Sequence, residues 1–111
     1  MQEVIGSTPI ISTKSRQGTF FLTLRYCITI RGVVQGVYFR KFTLEKAIEL
    51  RLTGFVENKD DGSVYCEVEG DDARVQLFMD WCSIGSPMSQ VTSVEVKRMP
   101  AIIFQNFEIR D

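Results

Sequence analysis

From Leu22 to Ile30 the chain alternates. Leu22, Leu24, Tyr26, Ile28 and Ile30 fall on one side, and Thr23, Arg25, Cys27 and Thr29 stand between them. Order is expected from Phe20, and the run closes at Arg31. A period of two is a β-strand with one buried face. The pattern then breaks at Gly32-Val33-Val34-Gln35-Gly36-Val37, which reads as a loop. From Phe39 to Leu50 the spacing becomes helical. Leu44, Ala47 and Ile48 lie opposite Glu45 and Glu49, and Phe39 and Phe42 widen the apolar face. A half-buried strand, a short loop and an amphipathic helix in succession leave few options. The helix must lie back over the sheet that the strand joins.

The rest of the chain continues this plan. Leu52 to Glu57 reads as a second strand, Asn58 to Gly62 as a turn and Ser63 to Glu69 as a third strand, which together make a hairpin. Asp71 or Asp72 can cap a second helix. Val75, Phe78 and Cys82 form one stripe of it, and Leu77, Trp81 and Ile84 a neighbouring one. Gly85 and Pro87 stop it. Val91 to Arg98 is a fourth strand. Phe104 to Arg110 is a fifth, with Phe107 and Ile109 inward. The order strand–helix–strand–strand–helix–strand, plus a terminal strand, predicts an α+β, ferredoxin-like α/β sandwich. Two helices cover one face of a mostly antiparallel sheet. Right-handed crossovers put the first and third strands side by side in the centre. The chain has 111 residues, enough for one domain. Residues 1–19, rich in Ser, Thr, Gly and Gln, read as an N-terminal arm or extension before a domain at 20–111.

Composition removes several kinds of chemistry. There is no histidine, so no His-based triad, phosphohistidine or His-ligated metal can be built from this chain. Cys27, Cys66 and Cys82 are far apart and odd in number. That argues against a zinc site or a disulfide framework and for small buried hydrophobes in a reducing compartment. Thirteen basic against fourteen acidic side chains give no bulk field for nucleic acid or anionic membranes. No apolar run is long enough to span a bilayer and no secretory leader is evident. A cytoplasmic monomer with no cofactor and no metal is expected.

One segment is built for an anion. Gly32 and Gly36 let successive backbone N–H groups converge at the start of a helix, where unsatisfied donors and the helix dipole add positive potential. Arg40 lies in the first helical turn. A positive charge there is mildly unfavourable to the fold, and a bound anion would resolve the conflict. The segment is neither a Walker A loop, since no Gly-Lys-Ser/Thr follows, nor a dinucleotide fingerprint. Taken alone, it could equally be a tight turn beside a surface Arg.

The string Gly32 to Arg40, G-V-V-Q-G-V-Y-F-R, resembles the signature of the acylphosphatases. A second signature follows at Gly54 to Val64, G-F-V-E-N-K-D-D-G-S-V. The resemblance extends over about residues 22–110. It implies a ferredoxin-like fold and metal-independent hydrolysis of acyl phosphates to a carboxylate and inorganic phosphate. It further implies that Arg40 binds the substrate phosphate, together with the loop amides of Val34, Gln35, Gly36, Val37, Tyr38, Phe39 and Arg40. Asn58 would orient the attacking water. Val33 stands where many members carry Lys or Arg, and Lys59 where a small residue is frequent. Lys59 could bring charge to the phosphate or crowd the water.

Other readings of these residues exist. Asn58, Asp60, Asp61 and Gly62 suit a hairpin turn on structural grounds alone. Gln35 can bond its own loop, Lys41 adds general positive potential, and Trp81 belongs to the core. A non-catalytic anion-binding module would keep Arg40 without turnover. An RNA-binding sheet would need aromatics on the central strands and a basic face, and the third strand offers Tyr65 alone, beside Glu67 and Glu69.

Overall fold

The computed structural model describes residues 22–111, so the arm at 1–19 and the start of order at Phe20 lie outside the described residues. The elements are β1 (Leu24–Val33), α1 (Phe39–Glu49), β2 (Thr53–Asn58), β3 (Val64–Gly70), α2 (Asp72–Ile84), β4 (Gln90–Met99) and β5 (Phe107–Arg110). They form one sheet in the order β4-β1-β3-β2-β5. β1 pairs antiparallel with both β3 and β4, and β2 pairs antiparallel with β3. Among the described strands, only β5 runs parallel to its neighbour, β2. This is the expected α+β, ferredoxin-like sandwich with β1 beside β3.

The alternation in β1 selects the covered face. Ile28 and Ile30, with Val56, Val64, Cys66 and Val68 from the neighbouring strands, are fully buried. Phe39 and Ala47 of α1 and Val75, Phe78 and Cys82 of α2 close over them. The α2 stripe is the predicted one. Asp71 caps the helix, its carboxylate accepting from the Arg74 N–H at 3.0 Å.

Three expectations about burial need correction. In α1 the buried line is Phe39, Thr43 and Ala47, whereas Ile48 is exposed. Thr43 can take the core position because its hydroxyl donates to the Phe39 carbonyl at 2.8 Å, which satisfies the one polar atom that burial would strand. Leu77 and Ile84 are exposed too. A helix lying on a flat sheet buries one narrow stripe, and the second α2 stripe falls outside it. Ile109 faces inward as expected, level with Val56 on the helix-covered side, but is 40% exposed. Trp81 is half-buried at the core margin, its ring 5.4 Å from that of Phe39.

Gly32 belongs to the strand, not to the loop. β1 runs to Val33, with a register shift between Arg31 and Gly32. Gly32 has φ 130°, and a Cβ there would lie 2.0 Å from the Gln90 carbonyl oxygen. Its role is the close approach of β4. Gly36, at φ 76° with open space around it, is the glycine that turns the loop.

Glu69 fixes the path to β5. It is 2% exposed, and its carboxylate accepts from the N–H groups of Ile102, Ile103 and Phe104 at 2.6, 3.0 and 2.7 Å. Removing it strands three donors at once. Glu69→Ala is expected to cost about 2–4 kcal/mol of unfolding free energy, read from urea denaturation.

Candidate functional site

The loop between β1 and α1, the end of β2 and the end of β5 enclose a cleft of about 340 Å³. Its walls are Val34, Gly36, Tyr38, Phe39, Arg40, Lys41, Asn58 and Ile109. Val34 and Phe39 are buried and anchor the loop to the core. Tyr38 caps α1 in a left-handed conformation, φ 60°, with no side-chain capping bond. No acidic residue stands in the first turn. The open amides of this helix end, with Arg40 and Lys41 beside them, face no carboxylate in that turn. The site is therefore electropositive although the whole chain is near neutral.

Arg40 reaches across to the last strand. Its Nη1 donates to the Arg110 carbonyl at 3.0 Å and lies 3.4 Å from the Asp111 carboxylate. Among the described residues, Nε and Nη2 have no hydrogen-bond partner, so most of the guanidinium fork is available. Asn58 enters from the other side. It ends β2, opposite Val64 in β3. Alternation places its side chain on the helix-covered face, with Val56. Its Oδ1 is buried and has no partner among the described residues. Such an orphaned acceptor is rare and points to a small donor such as water.

Gln35 holds the two segments together. Its Nε2 donates to the Lys59 carbonyl at 2.7 Å and to the Ser63 carbonyl at 2.8 Å. The side chain thus clamps the cradle loop to the hairpin turn instead of bonding its own loop. Gln35 and Val37 do not line the cleft, and Val37 packs against the core. Lys59 is turned away. Its ammonium pairs with Glu57 and sits 4.9 Å above the Tyr65 ring, on the opposite face of the sheet. It neither crowds Asn58 nor adds charge to the cleft.

The acidic pair after Asn58 shapes the turn. Asp61 accepts from the Ser63 hydroxyl at 2.6 Å and the Ser63 N–H at 2.9 Å, and pairs with Arg31 at 3.1 Å. These bonds, Ser63 first, hold its carboxyl down from 3.8 to about 2. The unfolded chain therefore takes up this proton before the folded one does. The stability it supplies is complete above about pH 4 and is lost as pH falls towards 2. Asp61→Asn is expected to flatten the fall in stability between pH 4 and pH 2, measured by urea unfolding at each pH.

The thiols follow the sequence reading in two cases of three. Cys66 and Cys82 are fully buried, and burial pushes both thiols up and keeps them protonated. Cys27 is half-buried on the open face of the sheet. No three His, Cys, Asp or Glu side chains cluster as metal ligands among the described residues. None of the described helices is long and apolar enough to cross a membrane.

Residues 26–109 match the acylphosphatase family model. The chain belongs to the acylphosphatase family. An acylphosphatase of Shewanella amazonensis is 46% identical over 86 residues, which cover 77% of this chain and 94% of that protein. The crystal structure of the acylphosphatase from Bacillus subtilis superimposes with a TM-score of 0.77 at 37% identity, over 79% of this chain and 99% of the other. Full-length HypF, in a phosphate- and nucleotide-bound form, contains a similar unit. That match has a TM-score of 0.75 at 26% identity and covers 85% of this chain but 12% of HypF. Membership assigns this chain the hydrolysis of acyl phosphates, with a small molecule as substrate and phosphate as product.

Sequence reasoning missed one member of the cleft, Ile109. Its alternation with Phe107 was legible, but it reads the same for a core position and for the wall of a cleft.

Proposed function

We propose that this cleft is the catalytic centre, with Arg40 and the loop amides as the phosphate cradle and Asn58 as the residue that positions water. The observation that carries the reading is the buried, unpartnered Oδ1 of Asn58 in the same cleft as the open side of Arg40. A buried acceptor with no protein partner beside an anion site is the arrangement that aims a water at phosphorus.

The chemistry fits a chain without histidine. The leaving group is a carboxylate, whose conjugate acid has a pKa of about 4–5 by analogy with Asp and Glu. It departs without a general acid. Transfer of the phosphoryl group passes through a loose transition state, so catalysis is positioning plus charge stabilisation. Arg40 and the amides of the loop meet the charge on the phosphoryl oxygens. Water donates one hydrogen bond to Asn58 Oδ1 and attacks in line. Asn58 is not a base near neutral pH, so the water's proton passes to a phosphoryl oxygen of the substrate. The O–P bond to water forms as the P–O bond to the acyl group breaks.

The test is hydrolysis of acetyl phosphate, followed as phosphate release. Competitive inhibition by inorganic phosphate and an unchanged rate in the presence of chelator are expected. Asp60→Asn and Asp61→Asn should leave the shape of the pH–rate profile unchanged. A basic limb that disappears in either variant would show that a protein carboxylate takes the proton.

A further inference from the structure

Tyr38 is an unexpected residue at its position. Its backbone sits at φ 60°, ψ 22°, where glycine is at ease and an aromatic residue is strained. Core packing does not offset the strain, because the residue is 70% exposed. No side-chain capping bond offsets it either. Tyr38 lines the cleft that holds Arg40 and Asn58. Ile109, 40% exposed, lines the same cleft from the end of β5.

The cleft has an inner and an outer end. Asn58 Oδ1 is fully buried and marks the inner one, while the exposed Tyr38 ring marks the outer. In-line attack puts the leaving group opposite the water. A water held at Asn58 therefore sends the acyl group outward, past Tyr38 and Ile109. Two large apolar side chains kept exposed where that group must pass are a binding wall for it.

We infer that Tyr38 and Ile109 form an apolar wall for the acyl group, and that the enzyme favours acyl phosphates with an aromatic acyl group over short ones. The inference rests on the catalytic reading of the cleft given above. The ring acts by contact with a part of the substrate that does not react. Its contribution enters mainly through KM.

The experiment compares kcat/KM for benzoyl phosphate and acetyl phosphate in the wild type, Tyr38→Gly, Tyr38→Phe and Ile109→Ala. The benzoyl-to-acetyl ratio is expected to fall about three- to tenfold in Tyr38→Gly, the loss of one aromatic contact. It should be retained in Tyr38→Phe and fall by a smaller factor in Ile109→Ala. General disturbance of the loop would lower both substrates together and leave the ratio where it was. An unchanged ratio in Tyr38→Gly, or an equal fall in Tyr38→Phe, overturns the wall and leaves the catalytic reading standing. A wild type inactive on both substrates overturns the catalytic reading and the wall with it.

Discussion

Arg40→Ala is expected to lower kcat/KM for acetyl phosphate by about 10³-fold or more and to abolish inhibition by inorganic phosphate. The size follows from the work asked of the side chain. A single arginine meeting the charge on a transferring phosphoryl group is worth about 10³–10⁵ in rate. This site has no metal-ligand cluster among its described residues to share that load. Arg40 is also placed to act without rearrangement. It uses Nη1 on the Arg110 carbonyl, which holds the guanidinium plane and leaves the remaining donors open to the cleft. Arg40→Lys keeps the charge but loses the planar fork, so it should recover only part of the rate. The partly exposed pair with Asp111 is a weak tie, and Asp111→Ala should change the rate by less than about threefold. Near wild-type turnover in Arg40→Ala would remove Arg40 from the centre of the mechanism.

Local pattern carried most of the fold. The switch from period two at Ile30 to helical spacing at Phe39, and the hairpin around Asp61 and Gly62, were enough to place β1 beside β3. What the pattern could not show were contacts between distant segments. Gln35 bonds the carbonyls of Lys59 and Ser63, 24 and 28 residues away, and no local period encodes that reach. Arg40 meets the Arg110 carbonyl because β5 returns parallel to β2, a pairing that depends on the whole sheet. Side-chain hydrogen bonding also misled the hydrophobic count. Thr43 is buried because its hydroxyl bonds back to its own helix, while the apolar Ile48 stays in solvent. At the site, strand ends and first helical turns put Asn58 and Arg40 within legible loops. The resemblance, not the periodicity, supplied their roles.

Asn58→Ala separates water positioning from phosphate binding. The variant is expected to lower kcat by about 10²–10³-fold, with inhibition by inorganic phosphate changed little. The split follows from the geometry. In the proposed mechanism phosphate is met by Arg40 and the loop amides, whereas Asn58 reaches the cleft from the end of β2. Removing the Asn58 side chain therefore leaves the cradle in place. It also removes a buried acceptor that has no partner among the described residues. No described protein group depends on that acceptor for its own hydrogen bond, so the fold should lose little by its removal. Asn58→Ala should accordingly unfold at a urea concentration close to that of the wild type while losing turnover. A residue that only formed the hairpin turn would show the reverse, lower stability with activity largely kept. Asn58→Asp gives a further contrast. It retains an acceptor but brings a negative charge towards the phosphoryl oxygens, so it should lose phosphate affinity as well as rate. Full activity in Asn58→Ala would mean that the water is held by some other group. The orphaned Oδ1 would then need a different explanation.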